Sequence, residues 1–117
     1  MTPHEIQRHQ PSSHQAEIVL RLDPPLFWVN GHFPVQQLLP GVAQLDWVMH
    51  YAQAILAPDY RFQGIQNVKF QAPLLPGCDV LLTLDWNEAR NVLSFSYHRL
   101  AGETRVLSSS GKIKLCR

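Results

Sequence analysis

The stretch PGVAQLDWVMHYAQAILAP, residues 40–58, reads as a helix bounded by a proline at each end. Pro40 suits a first turn, where its missing N–H leaves no helical hydrogen bond unmade. Val42, Leu45, Val48, Met49, Ala52, Ile55 and Leu56 recur at three- and four-residue spacing until Pro58 stops the run. Apolar side chains take up well over half of the circumference, so this helix is expected to be buried nearly all round. No other segment of the chain carries a convincing helical pattern.

On either side of it the pattern is that of strands. Downstream, Gly64–Phe70, Cys78–Trp86, Val92–Leu100 and Thr104–Leu115 are parted by turn signals at Pro73, Pro76-Gly77, Asn87–Asn91 and Ala101-Gly102. Val80, Leu82, Leu84 and Trp86 share one face, and Leu93, Phe95 and Tyr97 another, both with the period of two that a strand imposes. Upstream, Ile18, Leu20 and Leu22 alternate with Val19 and Arg21 until Asp23-Pro24-Pro25, where proline gives a ladder no N–H. Short connectors make neighbouring strands antiparallel. The fold class expected is α+β: one long buried helix wrapped by a curved antiparallel sheet of about five to six strands. Residues 1–14, polar and carrying Pro3, Pro11, His4, His9 and His14, read as a flexible N-terminal tail, and residues 15–117 as a single domain. A small sheet has open edges, and a helix apolar on all sides needs more cover than one sheet face gives. Self-association is therefore expected.

Composition narrows the function. The 117 residues fit one modest core, and 45% hydrophobic against 16% charged residues mark a globular chain. A net charge of +1 without a basic run argues against nucleic acid. No apolar stretch approaches the roughly 18 residues of a membrane span, and the N-terminal residues have no apolar core of a secretory signal, so a cytoplasmic location is expected. Cys78 and Cys116 form no CxxC and read as buried spectator thiols, with neither disulfide nor metal site indicated.

Chemistry concentrates just before and inside the helix. A loop rich in apolar side chains (Leu26, Phe27, Trp28, Val29, Phe33, Leu38, Leu39) contains Gly31-His32-Phe33-Pro34. His32, the helix start Pro40-Gly41-Val42 and Asp46 set an imidazole, unpaired backbone N–H groups and a carboxyl within fifteen residues. Such a set suits proton transfer beside a carbonyl. Each member also has a plainer reading: a loop histidine with a structural hydrogen bond, an ordinary Pro-Gly helix start, an aspartate that binds water or caps backbone.

The segments GHFPVQQLLPGVAQLDWVMHYA and GIQNVKFQAPLLPGCDVLLTL resemble the active-site loop, central helix and following strands of the hot-dog-fold (3R)-hydroxyacyl-[acyl carrier protein] dehydratases. The likeness runs from about residue 15 to the C-terminus and rests on GHFP paired with PGV. It implies a hydro-lyase that converts a 3-hydroxyacyl thioester to a trans-2-enoyl thioester, in fatty-acid or aryl-polyene type synthesis, with no cofactor and no metal. It further implies that His32 removes the C2 proton, that the N–H groups of Gly41 and Val42 hold the developing enolate oxygen, and that protonated Asp46 delivers a proton to the departing hydroxyl. The resemblance puts His32 of one subunit opposite Asp46 of another, in a homodimer, a trimer of dimers or a heterodimer with a related dehydratase. The broad-range branch usually has glutamate where Asp46 stands, and the isomerising branch has aspartate. Trp47, and His50 in place of a family glutamine, bear on substrate range. His50, Phe33 and Pro40 are supporting residues, and Phe33, Leu38, Leu39, Phe62 and Phe70 are candidates to line an acyl tunnel. The acyl carrier protein would be acidic, with Arg61, Lys69, Arg90, Arg99 and Arg105 as unranked cationic candidates to meet it. Two alternatives stand beside the dehydratase: a hot-dog thioesterase, and a non-catalytic acyl-binding partner subunit.

Overall fold

A computed structural model describes residues 3–24 and 39–117. In chain order it has β1 (His4–Ser12), β2 (Gln15–Arg21), α1 (Gly41–Tyr51), a π-helical turn (Ala52–Leu56), β3 (Arg61–Phe70), β4 (Asp79–Asn87), β5 (Val92–Ala101) and β6 (Thr104–Cys116). The strands form one six-stranded sheet in the order β1-β2-β4-β5-β6-β3, with every neighbouring pair antiparallel. The expected architecture of one helix on an antiparallel sheet holds.

The period-2 pattern explains which face is dry. Ile18 and Leu20 of β2, Val80, Leu82 and Leu84 of β4, Leu93, Phe95 and Tyr97 of β5, and Ile113 and Leu115 of β6 are buried in one cluster. From α1 and the turn after it come Trp47, Val48, Tyr51 and Ala52. These recur at helical spacing, so a single stripe of α1 meets the sheet. Gly77, at φ +83, takes a backbone conformation that a side chain would strain, which is why Pro76-Gly77 can turn the chain into β4.

Three expectations are corrected. First, α1 is not buried all round: Val42 is 72% exposed, and Asp46 and His50 are exposed as well. Counting apolar residues around the wheel overestimated cover, because one sheet face can reach only one side of a helix. The helix is also shorter than the pattern suggests. Its α geometry ends at Tyr51, and the chain continues in a wider turn, with the Ala57 N–H donating to the Ala52 carbonyl at 2.7 Å.

Second, residues 4–12 are not a tail but strand β1, paired along β2. All nine of its residues are exposed, so it buries no apolar stripe and leaves no hydrophobic pattern to read. Side chains tie it to the helix end instead. The Arg8 guanidinium lies 5.4 Å from the Tyr51 ring centre, and the Gln10 side-chain amide donates to the Ile55 carbonyl at 3.2 Å. Third, Cys78 and Cys116 are half-buried rather than buried, and the Cys78 thiol donates to the Leu75 carbonyl at 3.0 Å. Burial pushes the Cys78 thiol up from its ordinary range, which keeps it a poor nucleophile.

Candidate active site

The site is built on the first two turns of α1. Pro40 is the N-cap, with φ −62 and ψ 149, and no side chain caps the helix start. No acidic residue occupies the first turn. The N–H groups of Gly41 and Val42 have no partner within the helix, and the positive end of the helix dipole lies there. Leu39, Gly41, Gln44 and Phe70, with Ala72 and Pro73, line a mostly apolar hollow of about 350 Å³ at this helix end. The Phe70 ring rests on Gly41 so closely that a Cβ at position 41 would stand 2.7 Å from its Cζ. Glycine is needed there for the ring's close approach.

One helical turn along, Asp46 opens onto a second hollow. Val42, Leu45, Asp46, Met49, Gln53 and Phe62 line a groove of about 370 Å³, so the carboxyl sits among mainly apolar groups on the outward face of α1. Its sequence neighbour Trp47 points the other way and is 2% exposed in the core. Val42 and Asp46 are thus brought to one groove, as their spacing of four requires, while Gly41 lines the other hollow. His50 is exposed one turn further on, its ring edge-on to Tyr51 with centroids 5.0 Å apart. His32 and Phe33 lie outside the described residues, as does Leu38. Of the remaining tunnel candidates, Leu39 and Phe70 share the first hollow and Phe62 lines the Asp46 groove. His98 of β5 is half-buried, and its Nδ1 has no hydrogen-bond partner among the described residues. Among the described residues no group of three or more His, Cys, Asp or Glu gathers as a metal site.

Gln44 escaped the sequence reading. It is 4% exposed, on the same stripe of α1 as Trp47, Val48 and Tyr51. Its side-chain amide donates to the Leu39 carbonyl at 3.1 Å, its Oε1 accepts from the Ser109 hydroxyl at 2.7 Å, and its carbonyl accepts from the Tyr97 hydroxyl at 2.6 Å. Burial holds the Tyr97 hydroxyl well above its ordinary pKa, so it remains a donor throughout the neutral range. The signal available was a polar residue at a core position of the helical repeat, where burial requires partners.

A solved hot-dog-like protein from Thermanaerovibrio acidaminovorans superposes at TM-score 0.55 with 17% identity, covering 92% of this chain and 84% of that one. The fold is therefore of the hot-dog class. Much nearer are two further structures. The structure of the dehydratase heterocomplex ApeI:P from Xenorhabdus doucetiae superposes at TM-score 0.87 with 56% identity over all of both chains. An uncharacterised protein from Erwinia carotovora subsp. atroseptica superposes at TM-score 0.90 with 52% identity, covering 99% of this chain and 97% of the other. The family model described as ApeI-like, ApeI dehydratase, matches residues 7–112, and the chain belongs to that family. Among curated relatives, the 3-hydroxyacyl-[acyl-carrier-protein] dehydratase FabZ of Erythrobacter litoralis is 35% identical over 72 residues, which is 53% of this chain and 47% of the relative. The chain spans about half the length of the curated relatives it matches.

Proposed function

We propose that this chain is a 3-hydroxyacyl-[acyl carrier protein] dehydratase, which removes water from a 3-hydroxyacyl thioester and releases the trans-2-enoyl thioester. The observation that carries the reading is Asp46, a carboxyl in a mainly apolar groove one turn from the open helix start, in a chain of the ApeI-like dehydratase family. In the proposed step His32 takes the C2 proton. The N–H groups of Gly41 and Val42 hold the enolate oxygen, and protonated Asp46 gives its proton to the C3 hydroxyl as the C–O bond breaks. The proton on His32 returns to Asp46 through water or solvent, which resets both groups.

Further support comes from the site's exposure. Val42 at 72% and Phe62 at 49% exposed leave the apolar groove around Asp46 open to solvent. A second subunit seated there would close the groove over the carboxyl and exclude bulk water from it. The same subunit would bring its own His32 to face Asp46. The heterocomplex of the Xenorhabdus relative supports a related dehydratase as that subunit, with a homodimer as the other form. That the FabZ relatives are 3-hydroxyacyl-[acyl-carrier-protein] dehydratases supports an acyl carrier protein as the bearer of the substrate. Arg90, with Lys112 and Lys114 in one polar cleft, is the cation group among the candidates best gathered to meet an acidic protein.

A second reading, a non-catalytic acyl-binding partner of a dehydratase, is favoured by that same heterocomplex. Mass spectrometry of carrier-bound 3-hydroxyacyl chains after exposure to this protein alone separates the readings. Loss of one water from the acyl group, without free carrier thiol, is the expected result. No change with this protein alone, but water loss after a related subunit is added, would favour the second reading. Free thiol would point to thioester hydrolysis.

A further inference from the structure

Gln44 lies at the meeting of the helix start and one row of the sheet. Phe70 of β3, Ser109 of β6 and Tyr97 of β5 are directly paired across the strands. The helix end touches all three: Phe70 rests on Gly41, the Ser109 hydroxyl reaches Gln44 Oε1, and the Tyr97 hydroxyl reaches the Gln44 carbonyl. From this anchored position Gln44 fastens the chain entering the helix. Its backbone N–H donates to the Pro40 carbonyl at 3.1 Å and its side-chain amide to the Leu39 carbonyl at 3.1 Å. The Leu39 N–H in turn donates to the Leu74 carbonyl at 2.8 Å. A peptide group is planar, so fixing the Pro40 carbonyl fixes the direction of the Gly41 N–H across the same bond. A first-turn helix residue makes the backbone part of this contact whatever its side chain. The side-chain part, which joins Leu39 to Ser109, belongs to glutamine.

We infer that Gln44 is a positioning residue: with Ser109 and Tyr97 it sets where the Gly41 and Val42 N–H groups point relative to Asp46. The inference rests on the dehydratase reading for its catalytic consequence, and on the hydrogen bonds alone for its geometric one. A glutamine that merely filled the core would be replaceable by an apolar residue of equal length at a cost in stability only. A positioning glutamine sets the transition-state fit, so its loss lowers kcat while leaving KM nearly unchanged.

The test uses Gln44→Met, Gln44→Glu, Ser109→Ala and Tyr97→Phe in the full chain with its partner subunit if one is required. Gln44→Met should lower kcat for a carrier-bound 3-hydroxyacyl thioester about tenfold to a hundredfold with KM within about threefold, the scale expected when a donor is misplaced by about 1 Å. Gln44→Glu tests chemistry against shape. A protonated carboxyl offers the one donor and one acceptor that the amide uses here, and burial favours that form. Its kcat relative to the parent at the same pH should therefore recover as pH is lowered. If Gln44→Met does not fold, Ser109→Ala and Tyr97→Phe, which each remove one bond from the same network, should show the same kcat loss in smaller measure. Residual dipolar couplings of the Gly41 and Val42 N–H vectors provide a readout independent of turnover and should change in the folded variants. A parent that loses no water from the substrate would defeat the dehydratase reading, while a change in those couplings would still uphold the positioning role. Folded variants with parental couplings and kcat within twofold of the parent would overturn the inference.

Discussion

Gly41→Ala separates the two jobs that a glycine at the helix start can have. A methyl there would stand 2.7, 3.1 and 3.3 Å from three atoms of the Phe70 ring, against roughly 3.5–4.0 Å for relaxed carbon contacts. The ring must retreat by about 1 Å, and it can, because Phe70 is 54% exposed and the contact is with its free end. The cost falls at or below the low end of overpacking, about 1 kcal/mol. Alanine in a helix recovers up to about 1 kcal/mol relative to glycine, so the net change should stay within about 1 kcal/mol. For a chain of this size that is about 4 °C in Tm. Gly111→Ala is the contrast. Its methyl would meet the Asn67 backbone oxygen at 2.5 Å, Val68 Cγ2 at 2.9 Å and Phe95 Cε1 at 3.0 Å, between strands that cannot part without breaking their ladders. That substitution should cost about 2–3 kcal/mol or more and lower Tm by about 8–12 °C. Thermal melts followed by circular dichroism, with turnover on a 3-hydroxyacyl thioester, are the assays. Gly41→Ala should melt near the parent yet turn over about tenfold more slowly, because methyl and displaced ring crowd the helix-end hollow. If Gly41→Ala loses as much stability as Gly111→Ala, or keeps parental turnover, the account of this helix end is wrong.

Trp47 is buried in the core and not in either hollow, so Trp47→Ala should cost about 3–5 kcal/mol; a urea melt measures it. Trp47→Phe should leave the profile of acyl chain lengths unchanged in a substrate panel, whereas Phe62→Ala in the Asp46 groove should shift it. Burial, followed by the Glu5 carboxylate, pushes the Tyr51 hydroxyl up to about 12. The folded state therefore keeps this proton longer than the unfolded chain does. The stability it contributes is intact below about pH 10 and is lost as pH rises from there through about 12. Tyr51→Phe should make the alkaline fall of Tm shallower over that window, and an unaltered fall would contradict the assignment. Arg8→Ala, which removes the 2.8 Å exposed pair with Glu5 and the contact over Tyr51, should cost no more than about 1 kcal/mol by urea melt.

Features written in side-chain pattern were legible. Pro40 and Pro58 bracket the helical segment, and the apolar residues that alternate along β2, β4 and β5 are buried. Features that depend on backbone pairing or on tertiary placement were not. Strand β1 has no apolar stripe because it buries none, and its tie to Arg8 and Gln10 becomes visible only when the helix end is in place. The widening of the helix at Ala52 follows no Pro or Gly, and residue type gives no hint of it. In the site, Val42 and Asp46, four residues apart, line one groove, but spacing alone does not tell that this face of the helix is the open one. Gln44 was hidden among apolar neighbours, although its position on the core stripe was itself a clue.

The most direct test compares the parent with Asp46→Asn and His32→Ala on a carrier-bound 3-hydroxyacyl chain, with water loss read by mass spectrometry. Asp46 is exposed, so its amide replacement should fold with parental Tm. The dehydratase account predicts water loss by the parent and a fall of about a hundredfold or more in each variant; in the homodimeric form, mixing the two variants recovers activity, because a mixed pair restores one intact His32–Asp46 set. Parental rates in either folded variant would contradict it.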